Sequence, residues 1–182
     1  YDRACAPLFA SKATDIGMRD AKGVCHQRRA DALAWLDRYA EAEKEIGEAV
    51  AIYKPMYEEK PDRLERAHGY SIALNKQGEI YGWEEKYELA FAAFSESLRV
   101  VQRAYDADPS DQRSARNVAM ARNKRGDAYM ETKRYPEALA DYEVALGIFR
   151  KLHAADPTQT EHERDIGISN HRIGIVHVMA GE

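Results

Sequence analysis

The amino-acid sequence predicts an all-α fold in which antiparallel helix pairs stack as a repeating array. Two observations carry that expectation. Landmark residues recur at one interval: Pro61, Pro109 and Pro157 stand 48 residues apart, and so do Gly78, Gly126 and Gly174. Between the landmarks, apolar residues recur every three or four positions, the period of a helix face and not of a strand. Sliding the chain by 48 without a gap aligns Tyr39, Tyr87 and Tyr135; Ala42, Ala90 and Ala138; Ile46, Phe94 and Tyr142; and Val50, Leu98 and Leu146. Ile52, Val100 and Ile148 hold the same phase. So many apolar positions in register exclude chance. A helix pair cannot bury its own apolar face, so such units must stack.

The elements follow in order. Residues 1–11 hold the phase of a second helix from a preceding unit, with Cys5 on the register of Tyr53 and Val101. About seven main helices are then expected, near 14–36, 39–59, 62–83, 86–107, 110–131, 134–155 and 159–180. The stretch 134–155 is representative: Tyr135, Ala138, Leu139, Tyr142, Ala145, Leu146, Phe149 and Leu152 line one face at helical spacing. Asp-Pro at 108–109 and 156–157 ends a helix, because the residue before proline avoids the α region and proline lacks an N–H. Ser110, Asp111, Thr158 and Thr160 are available as caps for the next helix. Short polar turns at 82–86 and 131–134 divide the two helices of a unit. The chain thus reads as one repeat domain, 1–182. Residues 1–13 end a preceding helix, 14–61, 62–109 and 110–157 are three units, and 158–182 is the first helix of a fourth. A start at Tyr1, without Met, is expected of a fragment of a longer protein.

Composition excludes several function classes. With 27 Lys and Arg against 31 Asp and Glu, the net charge of −4 argues against nucleic-acid binding and against adhesion to an anionic membrane. No run approaches the roughly 18 apolar residues of a membrane-spanning helix, so this segment is not expected to insert. Two cysteines are too few for a disulfide scaffold or a zinc finger. The six histidines form no H-E-x-x-H, and there is no phosphate loop, dinucleotide fingerprint or nucleophile elbow. Cys25 and His26 are adjacent, which on a helix turns them about 100° apart. No catalytic residue, metal site or cofactor is expected.

The pattern G-x-x-Y, then Tyr-x-x-Ala, an aromatic four further on and a small residue three beyond, resembles the tetratricopeptide repeat. Gly126, Tyr129, Tyr135, Ala138, Tyr142 and Ala145 carry it best, followed by Gly78, Tyr81, Tyr87, Ala90, Phe94 and Ser97. The first unit has Ala30 and Leu33 at the glycine and tyrosine positions, and the fourth has His177. Two departures stand out. The family's unit is about 34 residues, so each unit here carries about two extra turns per helix. The leucine usual before the glycine is Gln77, Arg125 and Ile173. The resemblance implies a right-handed superhelical solenoid whose first helices line a concave groove that takes up a peptide or a partner's segment. Long-period arrays of this kind look like those of bacterial signalling proteins, so a sensor or interaction region without enzymatic activity is expected.

Candidate groove residues share a face of each first helix but lie off its core stripe. They are Gln27, Arg28 and Trp35; Asn75, Lys76 and Trp83; Asn123 and Lys124; and His171 and Arg172. An amide can bond both the C=O and the N–H of an extended peptide, and the cations can select carboxylates, which makes an acidic segment a candidate partner. The same residues also fit an ordinary solvated surface, with each cation paired to the acid three residues on (Asp31, Glu79, Asp127) and Arg172 left free. In that reading the tryptophans pack on a neighbouring turn. Self-association is the alternative function: Ile173, Ile175, Val176, Val178 and Met179 make the last helix apolar around much of its girth and suit a homo-oligomer contact. Cys5 and Cys25 flank an inter-unit turn and are either a disulfide pair or two buried thiols. Oxidation would fit a periplasmic setting, reduction a cytoplasmic one.

Overall fold

The computed structural model describes residues 2–10 and 15–181, with side chains from Cys5 onward. Among the described residues there are eight helices and no strand: α1 (Asp2–Ala10), α2 (Ile16–Ala34), α3 (Tyr39–Glu59), α4 (Leu64–Trp83), α5 (Tyr87–Ala107), α6 (Gln112–Glu131), α7 (Tyr135–Ala155) and α8 (Thr160–Ala180). The expected seven boundaries hold within about two residues, and α1 is the eighth helix. The expected start of the first long helix at 14, and Glu182, lie outside the described residues.

Each helix packs on its neighbours in sequence. The first helices also touch across units, α2 on α4 and α4 on α6, while α3 and α5, or α5 and α7, do not pack comparably. The inner face of the array is therefore lined by α2, α4, α6 and α8. This is the stacked helix-pair solenoid that the period demanded.

Two kinds of turn alternate. Between the helices of a unit, Asp37, Glu85 and Lys133 take positive φ of 56°, 58° and 58°. The next residue then returns its N–H to the helix end: Arg38 to Leu33 O, Lys86 to Tyr81 O and Arg134 to Tyr129 O. This is the Schellman arrangement, built without the glycine that usually serves it. Between units, the proline turns at Pro109 and Pro157 are held by the preceding aspartate. Asp108 Oδ1 accepts from the Ser110 N–H at 3.1 Å and hydroxyl at 2.6 Å, and Asp156 does the same for Thr158. Ser110 and Thr158 thus close the turn instead of capping a helix. Asp111 caps α6, and Gln159 stands at the α8 cap position without a side-chain bond.

The core explains the repeated glycine and aromatic. A Cβ on Gly126 would stand 2.4 Å from the Tyr142 ring, and one on Gly78 2.6 Å from Phe94. The two helices of a unit meet where only a hydrogen fits. The family's missing leucine is compensated at Arg125, which sends Nε and Nη2 to the buried Asp141 carboxylate at 2.7 and 2.8 Å. Arg122 adds a third bond to it at 2.9 Å, so the buried charge is paired and satisfied.

Candidate functional site

Geometry reassigns the polar ladder on the inner face. Lys76 Nζ donates to Asp31 Oδ1 at 2.5 Å, Lys124 Nζ to Glu79 Oε1 at 2.5 Å, and Arg172 Nε and Nη2 to the Asp127 carboxylate at 2.7 and 2.8 Å. Each pair links one unit to the next, 45 residues apart. This corrects the pairing expected along one helix, and it corrects the expectation that Arg172 stands free. The reason is lateral: neighbouring first helices place the acid of one unit beside the cation of the following unit. Arg28, first in the row, makes no ion pair among the described residues. Asp127 also accepts the Tyr142 hydroxyl at 2.8 Å, and burial, with that carboxylate beside it, pushes the Tyr142 phenol well above its ordinary value.

The amides are less available than the sequence suggested. Gln27 and Asn123 are buried and Asn75 is half-buried. Asn123 Nδ2 donates to Ser169 Oγ on α8 at 3.2 Å. Among the described residues, Gln27 Nε2, Asn75 Oδ1 and Asn123 Oδ1 have no hydrogen-bond partner. The Asn123 side chain ties α6 to α8, so Asn123→Ala is expected to lower stability by roughly 1 kcal/mol, the value of one lost hydrogen bond. Binding lost in that variant would report structure as much as contact, unless the melting temperature were unchanged.

The rest of the inner face is open. Trp35 is 88% exposed, and Trp83, which packs on Tyr39 at 6.0 Å between ring centroids, is 54% exposed. Met120 and Ile168, one unit apart in register, are 42% and 40% exposed, and His171 is exposed beside them. A shallow hollow over α6, α7 and α8 joins Ile168, His171 and Ile175 to Met130 and Glu131. The exposure of Met120 and Ile168 is set by the stacking.

Where the first helices begin, a larger cleft of about 900 Å³ opens between α2, α4, α6 and α8. Arg63, Arg66, Arg113, Arg116 and Lys60 line it, none of which was singled out from the sequence. Their only linear signal is the recurrence of arginine near the start of each first helix. Asn117 Nδ2 and His68 Nδ1 stand 3.3 Å apart on its wall. Desolvation there, with the Arg113 guanidinium nearby, holds His68 below the ordinary histidine value.

Cys5 and Cys25 are joined as a disulfide, Cα atoms 5.9 Å apart, which ties α1 to α2. No group of three or more metal-ligating side chains occurs among the described residues, and no described helix is long and apolar enough to cross a membrane.

Comparison with known proteins agrees with this architecture. The Tetratricopeptide repeat family pattern matches residues 118–158. No curated protein matches the sequence. Among solved structures, BtubC (BKLC) from P. vanneervenii superposes with a TM-score of 0.73 at 22% identity, over 100% of this chain and 64% of that one. This chain therefore spans just under two thirds of that protein's length, and the likeness speaks for the fold alone. The first tetratricopeptide domain of Spaghetti (RPAP3), bound to the HSP90 peptide SRMEEVD, superposes more distantly, with a TM-score of 0.40 at 15% identity over 85% of this chain and 95% of that one. The matched unit, the 48-residue register that repeats its glycine and aromatics, and the stacked helix pairs together make this chain a tetratricopeptide-type repeat protein.

Proposed function

We propose that the chain is a non-enzymatic scaffold that takes a peptide or a protein segment along the inner face of α2, α4, α6 and α8, as an interaction region of a larger bacterial signalling protein. Repeats of this family generally mediate protein–protein interaction. The observation that carries the reading is the distribution of exposed apolar side chains. Trp35, Trp83, Met120, Ile168 and Ile175 all lie on or at the end of a first helix, whereas Leu89 and Val144 are the large ones exposed on second helices. Aromatic and apolar anchors on a preformed concave surface are what a segment needs to bury on binding. The boundaries 14–61, 62–109 and 110–157 are the units of that surface in this reading. The cations Lys76, Lys124 and Arg172 act in it as ties between units, not as selectors of carboxylates.

The test uses segments selected from an unbiased peptide library and the two tryptophans as reporters. Binding is expected to shift Trp emission, and Met120→Asp or Ile168→Asp to weaken it roughly tenfold without loss of helicity. If Leu89→Asp or Val144→Asp abolishes binding while the inner-face variants bind normally, the second helices are the working surface. Self-association is a second reading, favoured by α8, where Ile175, Val178 and Met179 are 42%, 76% and 56% exposed. Sedimentation at several concentrations tests it: a mass that stays monomeric eliminates it.

A further inference from the structure

We propose that the cleft at the beginning of the first helices is a recognition site for an acidic peptide segment, seating an apolar side chain against its apolar lining and carboxylates at its rim. The inference rests on the inner face being the binding surface, and it names the partner's chemistry there. Its apolar lining is Ile16, Tyr53, Met56 and Leu64. Around it stand five cations, Lys60, Arg63, Arg66, Arg113 and Arg116, against three carboxylates, Asp20, Glu65 and Glu161. Arg116 is used within the fold, bonded to Asp165 at 2.9 Å with Glu161 3.8 Å away, and Arg113 has one long contact with Asp111 at 3.6 Å. Lys60, Arg63 and Arg66 make no side-chain hydrogen bond or ion pair among the described residues. In a chain of net charge −4, where Lys76, Lys124 and Arg172 are each paired across units, that concentration of positive charge is local and directional.

Backbone geometry adds to it. The starts of α4 and α8 lie at the cleft, and their cap residues, Arg63 and Gln159, make no side-chain cap bond. Arg66 N–H turns back to Arg63 O and His162 N–H to Gln159 O, which leaves the N–H groups of Leu64 and Glu65 and of Thr160 and Glu161, with the positive ends of the two dipoles, to an oxyanion. An independent observation comes from His162. It lines the cleft at 6% exposure, and its Nδ1 has no hydrogen-bond partner among the described residues. A buried polar atom without a partner is costly, and a ligand group entering the cleft would satisfy it.

The mixed lining selects among anions. The apolar lining suits a peptide carrying a large apolar residue beside its acids. The interspersed Asp20, Glu65 and Glu161 would repel a phosphate backbone, which offers no apolar group in return. The site also lies outside the matched family segment, which begins at Val118. Its third-unit residues, Gln112, Arg113, Arg116 and Asn117, precede that segment and belong to the extra turns of the 48-residue unit.

The experiment is selection of a phage-displayed linear peptide library on the immobilised 182-residue chain. Fluorescence polarisation of the winners follows, on the parent, on Arg63→Glu/Arg66→Glu and on Met120→Asp. Winners rich in Asp and Glu next to Leu or Phe are expected, with affinity falling at least roughly tenfold in the arginine double variant. Raising salt from about 50 to about 300 mM should weaken them as well. Because both arginines lack a folded partner, the melting temperature should hardly move, and Arg63→Gln/Arg66→Gln should give a smaller loss in the same direction. Winners without acidic residues, or acidic winners that bind the double variant unchanged, overturn the proposal. If affinity is lost only in Met120→Asp, the inner face stands as the binding surface and the cleft does not. If neither variant matters, or no binder emerges, both readings fall.

Discussion

Asp37, Glu85 and Lys133 adopt a left-handed backbone that favours glycine, at one position of three successive units. A side chain there costs about 1 kcal/mol through the clash of Cβ with the backbone. Lys133 is exposed, and its side chain makes no hydrogen bond or ion pair among the described residues. Lys133→Gly is therefore expected to stabilise the protein by roughly 0.5–1 kcal/mol, read as a higher urea midpoint at unchanged m-value. The proline turns respond to pH instead. Hydrogen bonds from Ser110 and Thr158 hold the Asp108 and Asp156 carboxyls below their ordinary value. A folded value below the unfolded one means that the contribution is complete above about pH 4 and disappears as pH falls through the lower folded value. Amide shifts of Ser110 and Thr158 should titrate with midpoints below that of a free aspartate. Midpoints at or above it would show the turns to be held otherwise.

One position of the repeat behaves oppositely in two helices. On α6, Gly126 presses on Tyr142, so Gly126→Ala must displace a buried ring and should destabilise by about 1–3 kcal/mol. On α8, Gly174 has the same register but nothing within 4 Å of an added Cβ. Gly174→Ala should stabilise by about 0.5–1 kcal/mol, the helix propensity difference alone. Thermal melts of the two variants decide this. Equal effects would mean that Gly174 is covered in solution, as a self-association contact on α8 would require.

Stability along the whole molecule should follow the line of stacking, because each helix gains only from adjacent ones. Among the described residues, helix α8 packs on α7 and ties by side chains to α6. Hydrogen exchange is expected to be faster in α8 than in α4–α7. Reducing the Cys5–Cys25 disulfide should raise exchange in α1 and leave α4–α7 unchanged. Global loss of protection on reduction would refute nearest-neighbour behaviour and assign the disulfide a role in the whole array.

The sequence by itself determined the helices, their turns and their period, because those depend on contacts within a few residues. Pro109 and Pro157 end helices locally, and the apolar spacing of 134–155 needs no partner to be read. Gly126 and Tyr142 could be read as positions of one repeating motif, but that the ring presses on the glycine was decided by the structure. Only the tertiary structure decided how unit meets unit. Asp31 lies three residues from Arg28, yet it binds Lys76, because stacking sets neighbouring first helices 45 residues apart at that row. The same stacking buried Gln27 and Asn123, which looked like exposed groove residues, and left Met120 and Ile168 open. It also gathered Lys60, Arg63, Arg66 and His162 around one cleft from segments a hundred residues apart. Helix formation is local in energy and visible along the chain. The lateral register of a solenoid is set by side chains interlocking across units, and no linear pattern records which of them will face one another.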